Sequence, residues 1–261
     1  MKTKKSLFVL PVIALVFALV FTTCSSGGGG GGGADSTTGT IGKPVLNQIT
    51  YVEANPNKGF NYGYYYYIPQ SIQNAPKKYI LVEPNNSGGQ SNDIEFHKEM
   101  AKGNMNYCVN YYVREVGCAV LVPVFPRPWD IYAQSLTRAA MLNKTEPMVR
   151  LDLQLIQMVD DLREKCQSAS INLEEKFLMG GYSSSGKFVN RFTAMHPELV
   201  QAAAAGGLTI MPILPADTLS GERLIYPVGI ADLQEITGKP FNLEQYKKVP
   251  PVYLHGRKRH Q

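Results

Sequence analysis

The sequence predicts an α/β fold, a mostly parallel sheet with helices on both faces, preceded by an N-terminal β-hairpin. Three observations predict it. From about residue 43 onward, short apolar runs alternate with longer segments of helical periodicity. The run from Cys118 to Phe125, Cys-Ala-Val-Leu-Val-Pro-Val-Phe, is apolar throughout, the pattern of a strand buried in a sheet covered on both sides. Finally, Gly180-Gly181-Tyr182-Ser183-Ser184-Ser185-Gly186 joins an apolar strand to a helical segment through a turn of small residues.

In chain order, the first element is a targeting segment. Lys2, Lys4 and Lys5 precede an apolar stretch from Leu7 to Phe21, which is short for a permanent span. Cys24 follows, then Ser25, Ser26 and an unbroken run from Gly27 to Gly33. A cysteine at the end of an apolar stretch, followed by a flexible tether, resembles the bacterial lipoprotein signal. Phe21 and Thr23 depart from it, standing where that family prefers Leu and a small residue. The resemblance implies that residues 1–23 are a cleaved signal peptide and that Cys24 is lipidated. Residues 24–42 then form a Gly/Ser-rich tether. The folded domain is exported and anchored through N-terminal lipid to the bacterial cell envelope, with Ser25 pointing to the outer membrane.

The domain begins near Lys43. Gln48 to Ala54 and Gly63 to Ile68 read as the β-hairpin, the second arm carrying the β-favouring run Tyr64 to Tyr67. Tyr79 to Val82 is a short strand, His97 to Arg114 a helix weakened by Gly103, and Cys118 to Phe125 the buried strand. Glu146 to Cys166 is the clearest helix, with an apolar stripe of Val149, Leu153, Ile156, Met158, Val159 and Leu162. Lys176 to Gly180 is a strand, and Gly186 to Met195 a helix that stops before His196-Pro197. Val200 to Ala205 and Val249 to Leu254 complete the strands. No internal repeat is visible.

The net charge of +5 comes from the termini, where Lys2, Lys4, Lys5, Arg257, Lys258 and Arg259 lie. The body is near neutral and has no basic stripe interleaved with aromatics, which excludes nucleic acid as the expected partner. No Cys/His spacing suggests a metal site, and no cofactor is expected. Cys108, Cys118 and Cys166 are an odd set, so at least one thiol stays free. Export permits a Cys108–Cys118 bridge, while Cys118 reads as core.

Three consecutive serines pose a choice of nucleophile. A sharp strand-to-helix turn exposes a nucleophile only if the residues two before and two after it are small. Ser183 has Gly181 and Ser185 there; Ser184 has Tyr182, and Ser185 has Lys187. Ser183 is therefore the candidate. Its attack on an acyl carbon creates an oxyanion that needs two N–H donors. Ser184 supplies one. The other comes from the polar loop Glu83 to Gly89, with Asn86 and Ser87 as the candidates. A plain helix-capping turn would also be rich in Ser and Gly.

This turn continues into Lys187-Phe188-Val189-Asn190-Arg191-Phe192 and His196-Pro197. Upstream lie Val82-Glu83-Pro84-Asn85-Asn86 and Val122-Pro123-Val124-Phe125-Pro126-Arg127. Together, over about residues 60–255, these resemble α/β-hydrolases near the esterase D and polyhydroxybutyrate depolymerase-like group. The resemblance implies a serine hydrolase acting on a carboxylic ester or related acyl bond, in a small-molecule or polymeric substrate. In it, His196 is a structural helix-end residue rather than the base. His97 reads as a surface or capping residue.

The acid and the base are the gap. In this fold the acid follows the seventh strand and the histidine the eighth. Val249 to Leu254 counts as the seventh, and only His255-Gly256-Arg257-Lys258-Arg259-His260-Gln261 follows. Asp217 is the fallback acid, with Asp232 behind it, and His255 and His260 are fallback bases. The sequence thus reads as a C-terminally incomplete domain over 43–261, a hydrolase crippled by the loss of its acid and histidine. The alternative is a non-catalytic, lipid-anchored binding protein on the same scaffold.

Overall fold

The computed structural model of the chain describes residues 42–85, 89–208 and 212–254. The hairpin forms as β1 (Thr50–Val52) and β2 (Tyr64–Tyr67), paired antiparallel. The next strands are β3 (Ile80–Val82), β4 (Ala119–Pro123), β5 (Phe177–Tyr182) and β6 (Val200–Gly206). A small separate hairpin, β7 (Thr218–Leu219) with β8 (Glu222–Arg223), precedes β9 (Pro251–Leu254). The seven-stranded sheet runs β1-β2-β4-β3-β5-β6-β9. From β4 through β9 its neighbours are parallel, and the hairpin adds the antiparallel edge.

Helix α1 (Ile94–Cys108) starts three residues before the sequence pattern suggests. Asp93 is the reason: its carboxylate accepts from the Glu95 amide at 3.0 Å and caps the first turn. Gly103 does not interrupt the helix, and a wider π-type turn at Val109–Val113 carries it on to Gly117 at φ 65°. Then come α2 (Arg138–Leu142), α3 (Leu151–Ser168), α4 (Ser184–Met195), α5 (Leu233–Thr237) and α6 (Leu243–Tyr246). Among the described residues, no helix is long and apolar enough to cross a membrane.

Helix α3 corrects the predicted stripe. It begins after Arg150, whose left-handed φ of 48° breaks the helical run, and Leu153 faces solvent. The buried face carries Leu151, Leu155, Met158, Val159 and Leu162, but also Asp152, Gln154 and Asp161. These polar groups are buried because each is bonded. Asp161 accepts from Tyr64 Oη at 2.6 Å, and Gln154 accepts from the Asn61 amide at 2.8 Å.

The larger core gathers α3 and α4 against the sheet through Tyr64, Phe177, Phe188 and Phe192. The smaller packs Ala101, Met105 and Cys108 of α1 on Tyr65, Leu81 and Val120. Each such large apolar side chain contributes roughly 1.5–3 kcal/mol when fully buried. Cys108, Cys118 and Cys166 are all buried free thiols, so the Cys108–Cys118 bridge does not form. Burial pushes the Cys118 and Cys166 thiols up to about 12, which leaves them unreactive.

Candidate active site

Ser183 sits between β5 and α4 at φ 59° and ψ −113°, a conformation that side chains avoid. Its amide donates to the Gly206 carbonyl at the end of β6, at 2.9 Å. The small neighbours are required by backbone. A Cβ on Gly181 would lie 2.6 Å from the Ser185 carbonyl carbon, and one on Gly186 would lie 2.4 Å from the Gly206 carbonyl oxygen. Ser185 fits at the second flank because its Oγ turns inward, accepting from the Tyr182 amide at 2.9 Å and donating to the Tyr182 carbonyl. Ser184 is buried, its Oγ 2.8 Å from Ser135 Oγ. Of the three hydroxyls, Ser183 Oγ is half-exposed and has no hydrogen-bond partner among the described residues. Ser184 also holds the first position of α4, where a backbone N–H has no acceptor within the helix and the helix dipole favours negative charge.

The loop expected to complete an oxyanion hole leaves the sheet beside this turn. β3 and β5 are parallel neighbours, with Val82 opposite Met179, so both chains emerge at the carboxyl ends of adjacent strands. Asn85 anchors the loop: its amide nitrogen donates to the Phe125 carbonyl at 3.1 Å and its oxygen accepts from the Phe125 amide at 3.0 Å. Asn86 and Ser87 lie outside the described residues. Glu83, just before them, is buried with one carboxylate oxygen unpartnered, and desolvation pushes its carboxyl up to about 8.

His97 corrects the sequence reading, for it is fully buried rather than on the surface. Its Nε2 lies 2.8 Å from the Ser91 carbonyl and 3.1 Å from the Arg127 amide. The ring thus sits between the chain following the β3 loop and the chain following β4; its Nε2 serves one of these bonds in each tautomer.

The described imidazoles and fallback acids are engaged or placed elsewhere. His196 follows the last residue of α4, about 18 Å of helix from the turn. Its Nε2 donates to Asp152 at 2.8 Å, and its Nδ1 accepts from Lys239 Nζ at 3.1 Å. Arg150 clamps the same carboxylate at 2.8 and 2.6 Å. Burial alone would raise the Asp152 carboxyl, but the Arg150 and His196 bonds override it and hold it at about 2. His196 therefore belongs to a structural network, as read from the sequence. Asp232 accepts from Arg138 and, at 2.8 Å, from the Tyr226 amide, and so fastens a loop rather than an imidazole. Asp217 is exposed at the foot of the β7–β8 hairpin. It lines an open cavity of about 620 Å³ with Asp232, Glu235 and Phe241, none of whose lining residues belongs to the turn. The structure does not bring Asp217 or Asp232 into contact with Ser183 Oγ. His255, His260 and Cys24 lie outside the described residues. What sequence reasoning missed is the segment after β4: Ser135 on Ser184, Gln134 donating to the Phe125 carbonyl at 2.8 Å, and Arg191 donating to the Ser135 carbonyl.

No family model and no curated protein matches the chain. Solved structures do. A poly(aspartic acid) hydrolase from Sphingomonas sp. KT-1 superposes with a TM-score of 0.52 at 19% identity, over 81% of this chain and 72% of that one. A poly(3-hydroxybutyrate) depolymerase from Bordetella parapertussis gives 0.51 at 15% identity, over 80% of this chain and 65% of that one. The fold is of the α/β-hydrolase type. At these identities the likeness concerns the fold, and within it the turn at Ser183 lies where β5 gives way to α4.

Proposed function

We propose that this chain is a serine hydrolase acting on a carboxylic ester or related acyl bond, with Ser183 as nucleophile. The observation that carries the proposal is the strained turn itself. Its backbone leaves Ser183 Oγ half-exposed and unbonded while Ser184 and Ser185 are tied down. The Ser184 N–H and a donor from Asn86 or Ser87 would receive the oxyanion. The substrate is a small-molecule or polymeric ester, and Cys24 would carry the lipid that holds the enzyme at the cell envelope.

Turnover is expected to be slow. A serine hydroxyl is a weak nucleophile until a base takes its proton, and His97 and His196 are committed to other partners. His255 and His260 are the remaining candidates for the base. Without a complete triad, only about 10³–10⁴ over water is expected from oxyanion binding and substrate binding. That engagement of both described imidazoles is also what favours the second reading, a non-catalytic binding protein. A fluorophosphonate probe separates the two. Covalent labelling mapped to Ser183, lost in Ser183→Ala, supports the hydrolase; an unlabelled Ser183 in folded protein overturns it. Labelling that falls further in His255→Ala or His260→Ala identifies the base.

A further inference from the structure

Trp129 is the single tryptophan of the chain and, at 69% exposure, the most exposed large apolar side chain among the described residues. An isolated exposed apolar residue is ordinary on a protein surface. The backbone that carries this one is not ordinary, because it is fixed on several sides. The Trp129 amide donates to Asn92 Oδ1 at 3.3 Å, and the Ser91 amide donates to the Arg127 carbonyl at 3.0 Å. The buried His97 ring lies 3.1 Å from the Arg127 amide. The Arg127 guanidinium stacks 4.2 Å above the Tyr132 ring, closing the turn around Trp129.

The position matters as much as the rigidity. Asn92 lies just beyond the loop that follows β3. Ser135, six residues past Trp129 and so within about 20 Å of extended chain, touches Ser184. The indole is carried on a turn that ties the chain after β3 to the chain after β4, and the second of these chains reaches Ser184 through Ser135. We propose that Trp129 is a specificity-determining platform that stacks against a flat ring of the substrate. A ring can use an aromatic face through either its π surface or its C–H face, so an aryl ester and an ester of a pyranose both present the required chemistry. An indole on a fixed backbone has only its own side-chain rotamers left to lose on binding, which suits a recognition residue. This inference rests on the hydrolase reading for its substrate class, but the stacking can be measured without turnover.

Because Trp129 is alone, the emission of the full-length chain reports on it directly. In the Ser183→Ala background, titration with phenyl acetate or with an acetylated methyl glucopyranoside should change the emission saturably. Ethyl acetate at equal concentration should not, and N-acetyltryptophanamide should show only the linear response of collisional quenching. Saturation with one ring and not the other names the ring. A linear response to both, or equal saturation by ethyl acetate, overturns the platform. In wild type, Trp129→Ala should slow labelling of Ser183 by a phenyl-bearing fluorophosphonate about tenfold, the factor that about 1.4 kcal/mol of ring stacking supplies. Labelling by an ethyl analogue should be unchanged, and Trp129→Phe should restore most of the loss. Saturable emission changes with an unlabelled Ser183 would sustain the platform and sink the hydrolase. Labelling at Ser183 without ring selectivity would do the reverse.

Discussion

Asp152, in the first turn of α3 and facing the C-terminal end of α4, has both carboxylate oxygens bonded, to Arg150 and His196, and its carboxyl is held at about 2. Glu83, where β3 enters the loop beside Ser183, is buried with one oxygen unpartnered, and its carboxyl is pushed up to about 8. The two side chains differ by one methylene. Their environments differ in whether a cation came with the charge. Away from the turn, the fold compensates a buried carboxylate fully. Next to the turn no cation accompanies the carboxyl, and desolvation makes Glu83 keep its proton instead, in the same neighbourhood as the strained backbone of Ser183.

The comparison can be broken most severely at its satisfied end. Asp152→Ala leaves Arg150 and His196 buried without their acceptor, and should cost about 3–5 kcal/mol, read as a lower urea midpoint at unchanged slope. An equally stable variant would mean that the network contributes nothing net.

The unsatisfied end predicts the opposite sign. The Glu83 carboxyl rises from 4.5 when unfolded to about 8 when folded. Between those values the unfolded chain has lost the proton that the folded chain still holds, so stability falls as pH rises. Asp152 works in the other direction: its contribution is complete above its ordinary value of 3.8 and is lost as pH falls toward 2. Glu83→Gln should therefore stabilise by about 3 kcal/mol at pH 7 and flatten the decline between pH 5 and 8, while leaving the acid limb unchanged. Thermal unfolding across pH 2–9 for both chains tests this. A decline that persists in Glu83→Gln assigns it to another group.

The smallest effect is expected at the turn itself. Ser183→Gly relieves the strain at φ 59° and gives back part of the gain in chain entropy, for a net stabilisation of about 1 kcal/mol. It should also abolish phosphonate labelling. Destabilisation instead would mean that the Ser183 side chain has a structural partner.

The features legible in the sequence were those set by small residues and by burial on both sides. Ser183 was separated from Ser184 and Ser185 by the size of its flanks, and the 2.6 Å clash at Gly181 is the physical basis of that rule. The strands were found within two or three residues, because continuous apolar runs between helices leave few alternatives. The apolar face of α3 was misplaced because a third of its buried residues are polar: Asp152, Gln154 and Asp161 bond His196, Asn61 and Tyr64, partners distant in sequence that no local periodicity can report. His97 was misjudged for the same reason, since its burial depends on Ser91 and Arg127. The short β7–β8 hairpin and helices α5 and α6 left no periodic trace, being too short to express one. Asp217 followed only a rule of chain order, and its exposed position shows that order alone does not fix a side chain in space.

The contacts that fix Ser183 are made by main chain: its own amide on the Gly206 carbonyl, and the bare Cα of Gly181 and Gly186 against carbonyl oxygens. A post mounted this way is indifferent to the side chains displayed around it. The exposed positions of the turn at Arg127–Tyr132 and of the connection from β6 to β9 can therefore be rewritten while the serine stays in register with the sheet, the buried Tyr226, Asp232 and Leu233 of that connection being kept. For anyone diversifying this scaffold, those exposed positions are the places to randomise, and Gly181 and Gly186 the two letters to leave alone.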